Sequence, residues 1–259
     1  MAAVQFDPRS VSFRPSTAPA EYPELTSKSF SFSSRGDRVP GRLLLPGTRE
    51  GPIPLVLLAH GAGGAKDAPY MDSAAGPWAR RGLAVASIDF PLHGERSEAK
   101  LYQMLVAELA DPDPNGLGLA ADFALQALAD LSNALSALCE SSEIDARRIG
   151  YAGFSLGSII GATFCAGESR IRAAALALGG AGLGGASFDP TRHIADFAPR
   201  PLLFVNAKGD ETIPREAALA LSAAAAEPKQ QLWFDGTHNQ LPGQALKAMY
   251  QFLERHLEA

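Results

Sequence analysis

The chain has 259 residues, 46% hydrophobic and 20% charged, with a formal charge of −5, the make-up of a globular protein with one substantial core. Its acidic balance supplies no basic field for nucleic acid or an anionic membrane, and no window approaches the length of a membrane span. Cys139 and Cys165 lie in apolar helical contexts without C-x-x-C spacing, so they read as buried reduced thiols, and with no basic, apolar leader at the N-terminus the expected compartment is the cytoplasm.

Residues 1–27 carry Pro8, Pro15, Pro19 and Pro23 among Ser, Thr and Ala, the composition of an arm that is extended or partly disordered. A single domain is expected over 28–259. It opens with polar–apolar alternation from Lys28 to Phe32, turn chemistry at Arg35-Gly36-Asp37, and an extended pattern from Gly41 to Pro46, which together predict an antiparallel hairpin. The Arg-Gly-Asp tripeptide is better explained as that turn than as an adhesion signal.

Continuous apolar runs of strand length follow at 55–59, 83–88, 149–152, 173–178, 202–205 and 231–234, and such runs suit strands covered on both faces. Helical patterns lie between them, notably at 120–138, 158–164, 215–226 and 244–257. With the hairpin this predicts an α/β fold with a mostly parallel eight-stranded sheet and helices on both faces. Ligands of such sheets gather at the carboxyl ends of the strands, so the residues just after each run are the ones to inspect.

After 55–59 stands His60-Gly61-Ala62-Gly63-Gly64, a loop whose backbone N–H groups are unobstructed by side chains. It has neither the G-x-x-x-x-G-K-[ST] nor the G-x-G-x-x-G spacing of a phosphate loop, so it is a candidate oxyanion hole through the N–H of Ala62. After 83–88 comes Asp89-Phe90-Pro91-Leu92-His93-Gly94, and then the stretch 96–118, which has room for a small lid or a plain surface loop. Leu101 to Val106 would give a lid its apolar face, and Ala110 to Gly116 its hinge.

After 149–152 stands Gly153-Phe154-Ser155-Leu156-Gly157, a G-x-S-x-G pentapeptide between a strand and a helix. A chain that turns so sharply strains the residue at its apex and demands small flanking residues, which Gly153 and Gly157 provide. Ser155 is therefore the candidate nucleophile, with the N–H of Leu156 as the second oxyanion donor at the positive end of the new helix. Gly179 to Gly185 follows the next run as a second wall of small residues.

After 202–205 comes Gly209-Asp210-Glu211-Thr212-Ile213-Pro214, where Asp210 suits the role of orienting a histidine, or simply that of a helix N-cap, with Glu211 as the adjacent alternative. After 231–234 the loop Asp235-Gly236-Thr237-His238 supplies the candidate general base, His238. The order Ser155, Asp210, His238, each just after a strand, is a rarer coincidence than any of the three alone. His60 reads as a support of the glycine loop, and His193 and His256 as loop and terminal-helix residues. Phe154, Gly63, His93 and Leu183 are expected to border the substrate. The spacings show no H-E-x-x-H or paired Cys/His pattern, so no metal and no cofactor is expected.

These segments together resemble the α/β-hydrolase superfamily, in particular its compact serine members similar to dienelactone-hydrolase-like esterases and to prolyl-oligopeptidase-type catalytic domains. The likeness runs from about Lys28 to Leu257 and is carried by 60–64, 89–94, 153–157, 209–214 and 236–238. Dienelactone hydrolases proper use a cysteine and haloalkane dehalogenases an aspartate where this chain has Ser155, so neither chemistry carries over. The resemblance implies the α/β-hydrolase fold and a carboxylic ester hydrolase acting through a Ser-His-Asp triad and an acyl-enzyme on a small-molecule ester. Two alternatives stand beside it: an amidase or peptidase of the prolyl-oligopeptidase type, and a noncatalytic binding protein on the same fold.

Overall fold

The computed structural model describes residues 6–111, 118–182 and 189–258. One nine-stranded sheet runs through the molecule, one strand more than expected, with the spatial order β1-β2-β3-β5-β4-β6-β7-β8-β9. The additional strand is β1 (Arg14–Ser16), drawn from the arm and paired antiparallel with the start of β2 (Thr26–Ser34). Its three exposed residues, with Pro15 among them, give no alternation to detect, and an edge is where a strand tolerates proline. β2 and β3 (Asp37–Leu45) form the expected hairpin, with Arg35 and Gly36 in the turn at positive φ.

β3 pairs antiparallel with β5 (Ala84–Ile88), and from there every pairing is parallel, through β4 (Ile53–Ala59), β6 (Ile144–Phe154), β7 (Ile171–Ala177), β8 (Leu202–Ala207) and β9 (Lys229–Phe234). Every residue of β4, β5 and β8 is buried, which is why these strands are apolar without alternation. One face of the sheet is covered by α3 (Leu119–Cys139) and α4 (Leu156–Gly167), where Phe123, Leu131, Leu135 and Ile160 join the core. α5 (Arg215–Ala224) adds Leu221 to the same face. The opposite face is covered by α1 (Pro69–Arg80) through Met71 and Trp78 and by α6 (Gly243–Leu257) through Met249, Phe252 and Leu253. Among the described residues no helix is long and apolar enough to cross a membrane.

α1 carries no clean periodic signal, because Pro69, Gly76 and Pro77 interrupt it. Gly76 is required by packing, since a Cβ there would fall 2.2 Å from the ring of Tyr22, and Arg80 lies over the same ring at 5.0 Å. The arm is thus fastened along the domain, with Phe6 on Phe32 at 5.5 Å and Phe13 on Phe30 at 5.1 Å. In the 96–118 stretch lies α2 (Ala99–Ala110), with Leu105 alone fully buried; the Glu108 carboxylate accepts the N–H groups of Leu119 and Ala120 at the start of α3. Most of the hinge segment and all of 183–185 lie outside the described residues. Cys139 and Cys165 are free, and burial pushes both thiols up.

Candidate active site

β6 runs directly into α4 with Ser155 at the junction, at φ 51° and ψ −112°. A side chain at positive φ costs on the order of 1–3 kcal/mol, and the surroundings hold it there. The N–H of Ser155 donates to Ala177 O at 2.9 Å, extending the β6–β7 ladder past the strand end. A Cβ on Gly153 would lie 2.4 Å from Gly157 O, and one on Gly157 would lie 2.5 Å from Ala59 O, so neither position admits a larger residue without displacing backbone. Ser158 is fully buried, and its hydroxyl sits 2.8 Å from Gly153 O and 2.6 Å from Ala177 O, tying the first turn of α4 to the ends of two strands.

The structure brings Ser155, His238 and Asp210 into one hydrogen-bonded chain. His238 Nε2 lies 2.9 Å from Ser155 Oγ, and Nδ1 lies 2.9 Å from Asp210 Oδ2 and 3.1 Å from Oδ1. A carboxylate only accepts, so Nδ1 carries the proton and Nε2 is left to receive the serine hydroxyl. The histidine and aspartate side chains keep 14% and 7% of their surface, which shields the pair from competing water. Asp210 Oδ1 also accepts the N–H groups of Thr212 at 2.9 Å and Ile213 at 2.8 Å, which fixes the carboxylate plane. Asp210 is therefore not the N-cap of α5, a place taken by Pro214, and it is Asp210, not the exposed Glu211, that bonds His238 Nδ1.

The glycine loop approaches Ser155 closely, since a Cβ on Gly61 would lie 3.3 Å from Ser155 Cβ and 3.5 Å from Phe154 O. Among the described residues no acceptor takes the N–H of Ala62 or of Leu156. His60 holds the loop from behind. It is fully buried, its Nδ1 donates to Gly61 O at 2.8 Å, and its Nε2 accepts the N–H of Phe90 at 3.1 Å. Burial lowers its pKa to about 4, so it stays neutral. Further along, Lys66 is buried against Asp89 and Glu95, at 3.3 Å and 2.8 Å, and this pins the far end of the loop to the turn after β5.

A cavity of about 240 Å³ opens above Ser155 and His238. Ala62 and Phe154 line it. Gly63 and His93 instead line a neighbouring cavity of about 220 Å³. His93 is drawn back because its Nδ1 donates to Pro91 O at 2.7 Å and its ring packs edge-on to Tyr102, while Gly63 turns outward at φ 71°. Burial pushes the His93 pKa down. Leu183 lies outside the described residues. His193 is exposed, and His256 packs on Phe252 at 4.7 Å, both away from Ser155.

The wall also contains residues that sequence reasoning missed: Tyr70, Ser73, Leu178, Leu241 and Leu246. Tyr70 and Ser73 belong to α1, whose interrupted pattern hid it, and Leu246 belongs to α6, read only as a helical pattern. Leu178 turns into the cavity wall at φ 58°, a conformation its residue type does not announce. Among the described residues no group of three or more His, Cys, Asp or Glu could hold a metal ion.

No protein-family model matches the chain, and no curated protein resembles it in sequence. Solved structures do resemble it. A cold-adapted esterase from an Arctic intertidal metagenomic library, in its PEG-bound complex, superposes with a TM-score of 0.75 at 26% identity over 90% of this chain and 95% of that one. The acetyl xylan esterase of Paenibacillus sp. R4 gives 0.75 at 19% identity over 97% and 90% of the two chains. An alpha/beta hydrolase of Penicillium sp. sh18 gives 0.71 at 14% identity over 90% and 99%.

Proposed function

This chain is an α/β-hydrolase by fold, and we propose that it is a carboxylic ester hydrolase for small to medium acyl esters, with Ser155 as nucleophile, His238 as general base and Asp210 as its orienting acid. The observation that carries this reading is the unbroken chain from Asp210 through His238 to Ser155, with its two contacts of 2.9 Å. The esterases of like fold agree with it.

In the proposed reaction Ser155 Oγ gives its proton to His238 Nε2 and attacks the ester carbonyl carbon, and the carbonyl oxygen becomes an oxyanion. The N–H groups of Ala62 and Leu156 receive that oxyanion, the first from a loop held against Ser155 and the second at the positive end of α4. Asp210 steadies the imidazolium. Collapse of the tetrahedral intermediate breaks the bond to the alkoxy oxygen, which takes the proton from His238 Nε2 and leaves as the alcohol. Water, deprotonated by the same nitrogen, then cleaves the acyl-enzyme and releases the carboxylic acid. None of these steps calls for a cofactor. A cavity of about 240 Å³ suits a short or medium acyl group better than a long chain.

Hydrolysis of nitrophenyl esters of increasing acyl length by the protein and by Ser155→Ala tests the proposal. Turnover that declines with chain length and vanishes in the variant is expected; equal rates for both proteins would refute it.

A further inference from the structure

The α1 side of the cavity has a hydrogen-bonding character that the hydrolytic steps do not use. Tyr70 Oη accepts the N–H of Gly61 at 2.9 Å and reaches the wall beside Ser155. A Cβ built on Gly61 would stand 3.8 Å from this oxygen and 3.3 Å from Ser155 Cβ, so hydroxyl and nucleophile flank the same point. The ring is fixed edge-on to Phe154, with centroids 5.8 Å apart. One phenolic lone pair is spent on Gly61, and among the described residues no acceptor takes the phenolic proton. Burial raises the pKa of this phenol, so it remains a donor at neutral pH.

Ser73 lies one turn further along α1, at i+3 from Tyr70 and therefore on the same face, and it too lines the cavity. Its own proton is directed into the helix, to Pro69 O at 3.0 Å, which leaves its oxygen to accept. The α1 face thus presents a donor and an acceptor one helical turn apart. Leu178, Leu241 and Leu246 give the same cavity apolar surface. An alkyl chain offers this pair of groups nothing, an ether satisfies only the donor, and a hydroxyl satisfies both.

We infer that Tyr70 and Ser73 select esters that carry a free hydroxyl near the scissile carbonyl, such as partial esters of polyols or hydroxyacyl esters, over alkyl esters of the same shape. The inference rests on the ester-hydrolase reading of Ser155. Tyr70 is on this account a specificity-determining residue, and its bond to Gly61 makes it a positioning residue for the glycine loop as well.

The test uses two shape-matched pairs: propyl acetate against 2-hydroxyethyl acetate, and methyl butanoate against methyl 3-hydroxypropanoate. Each is measured as kcat/KM with the wild-type protein, Tyr70→Phe and Ser73→Ala. The ratio of hydroxylated to alkyl ester cancels any loss that a loosened glycine loop imposes on both. In at least one pair that ratio is expected to fall about five- to ten-fold in Tyr70→Phe, the scale of one hydrogen bond, and by less in Ser73→Ala. Ratios that stay unchanged in both pairs while absolute rates fall would overturn the inference and leave the hydrolase reading intact. Absence of turnover of every ester by the wild-type protein, with no labelling of Ser155 by an organophosphonate, would overturn both.

Discussion

Asp210→Asn separates the two tasks of this side chain. In the native protein Oδ1 accepts two backbone N–H groups, from Thr212 and Ile213, while Oδ2 faces His238 Nδ1 at 2.9 Å. An asparagine has one acceptor oxygen and one donor nitrogen. If the oxygen keeps the Oδ1 place, both backbone bonds survive and the NH2 group faces His238; the opposite rotamer sets a donor against two donors. The first arrangement wins, so Nδ1 of His238 must become the acceptor and its proton must move to Nε2. The imidazole is then the wrong tautomer to deprotonate Ser155, although every heavy atom can stay in place. The same tautomer error in a serine-protease triad lowers kcat by about 10⁴, equivalent to about 5 kcal/mol of transition-state stabilisation. Thermal stability should change by less than about 1 kcal/mol, because the turn bonds are kept. Asp210→Ala should lose activity too, but also destabilise by about 1–2 kcal/mol as the part-buried N–H of Ile213 and the exposed N–H of Thr212 lose their acceptor. Steady-state kinetics beside thermal denaturation separate the variants, and Asp210→Asn activity within ten-fold of wild type would refute the tautomer argument.

Gly157→Ala, whose Cβ would stand 2.5 Å from Ala59 O, should cost about 1–3 kcal/mol of stability and slow phosphonate labelling of Ser155, since the clash displaces the strand end that carries the glycine loop. Ser158→Ala should cost about 1 kcal/mol by removing the hydroxyl that ties Gly153 O to Ala177 O, the latter still held by the N–H of Ser155, measured by urea denaturation. His60, held near a pKa of about 4 by burial, binds its proton more weakly folded than unfolded, where the value is near 6.5. Stability should therefore fall as the pH drops from about 6.5 towards 4, by about 2 kcal/mol at pH 5 from this residue alone. A pH series of denaturant midpoints should flatten in this window for His60→Gln, and an unchanged slope would count against the assignment.

The central strands were legible because burial on both faces writes itself as unbroken apolar runs, as in Leu55 to Ala59 and Leu202 to Val205. Ser155 and the glycine loop were legible because close backbone approach admits few residue types, and the clashes that a Cβ would meet at Gly153 and Gly157 give the reason. What the residues could not announce is orientation. His93 and Gly63 stand beside the right strand ends, yet a single hydrogen bond to Pro91 O and one turn of backbone assign them to the neighbouring cavity. Tyr70 was hidden in a helix broken up by Gly76 and Pro77, and β1 in three exposed residues around Pro15.

The strained positions show where the fold spends stability. Leu92 at φ 62°, Ser155 at 51° and Leu178 at 58° are non-glycine residues at positive φ, and they follow β5, β6 and β7 respectively. Each lies on the carboxyl side of the sheet, where the chain must turn at once to leave room above it. The sheet restrains two of them directly: the N–H of Ser155 is held by Ala177 O at 2.9 Å, and that of Leu178 by Val205 O at 2.8 Å. The ladder therefore runs one residue beyond the regular strand ends and forces both side chains into the cavity wall. Glycine at position 178 would relieve the backbone by roughly 1 kcal/mol but remove an apolar side chain from that wall. Leu178 is also buried in the core beneath α1 and α6, so Leu178→Gly should lower stability by about 1–4 kcal/mol net of the relieved strain and should lower kcat/KM for alkyl esters per folded molecule as well. A variant whose midpoint falls sharply while activity per folded molecule is kept would show that the side chain serves packing, and that the strain is incidental to the site.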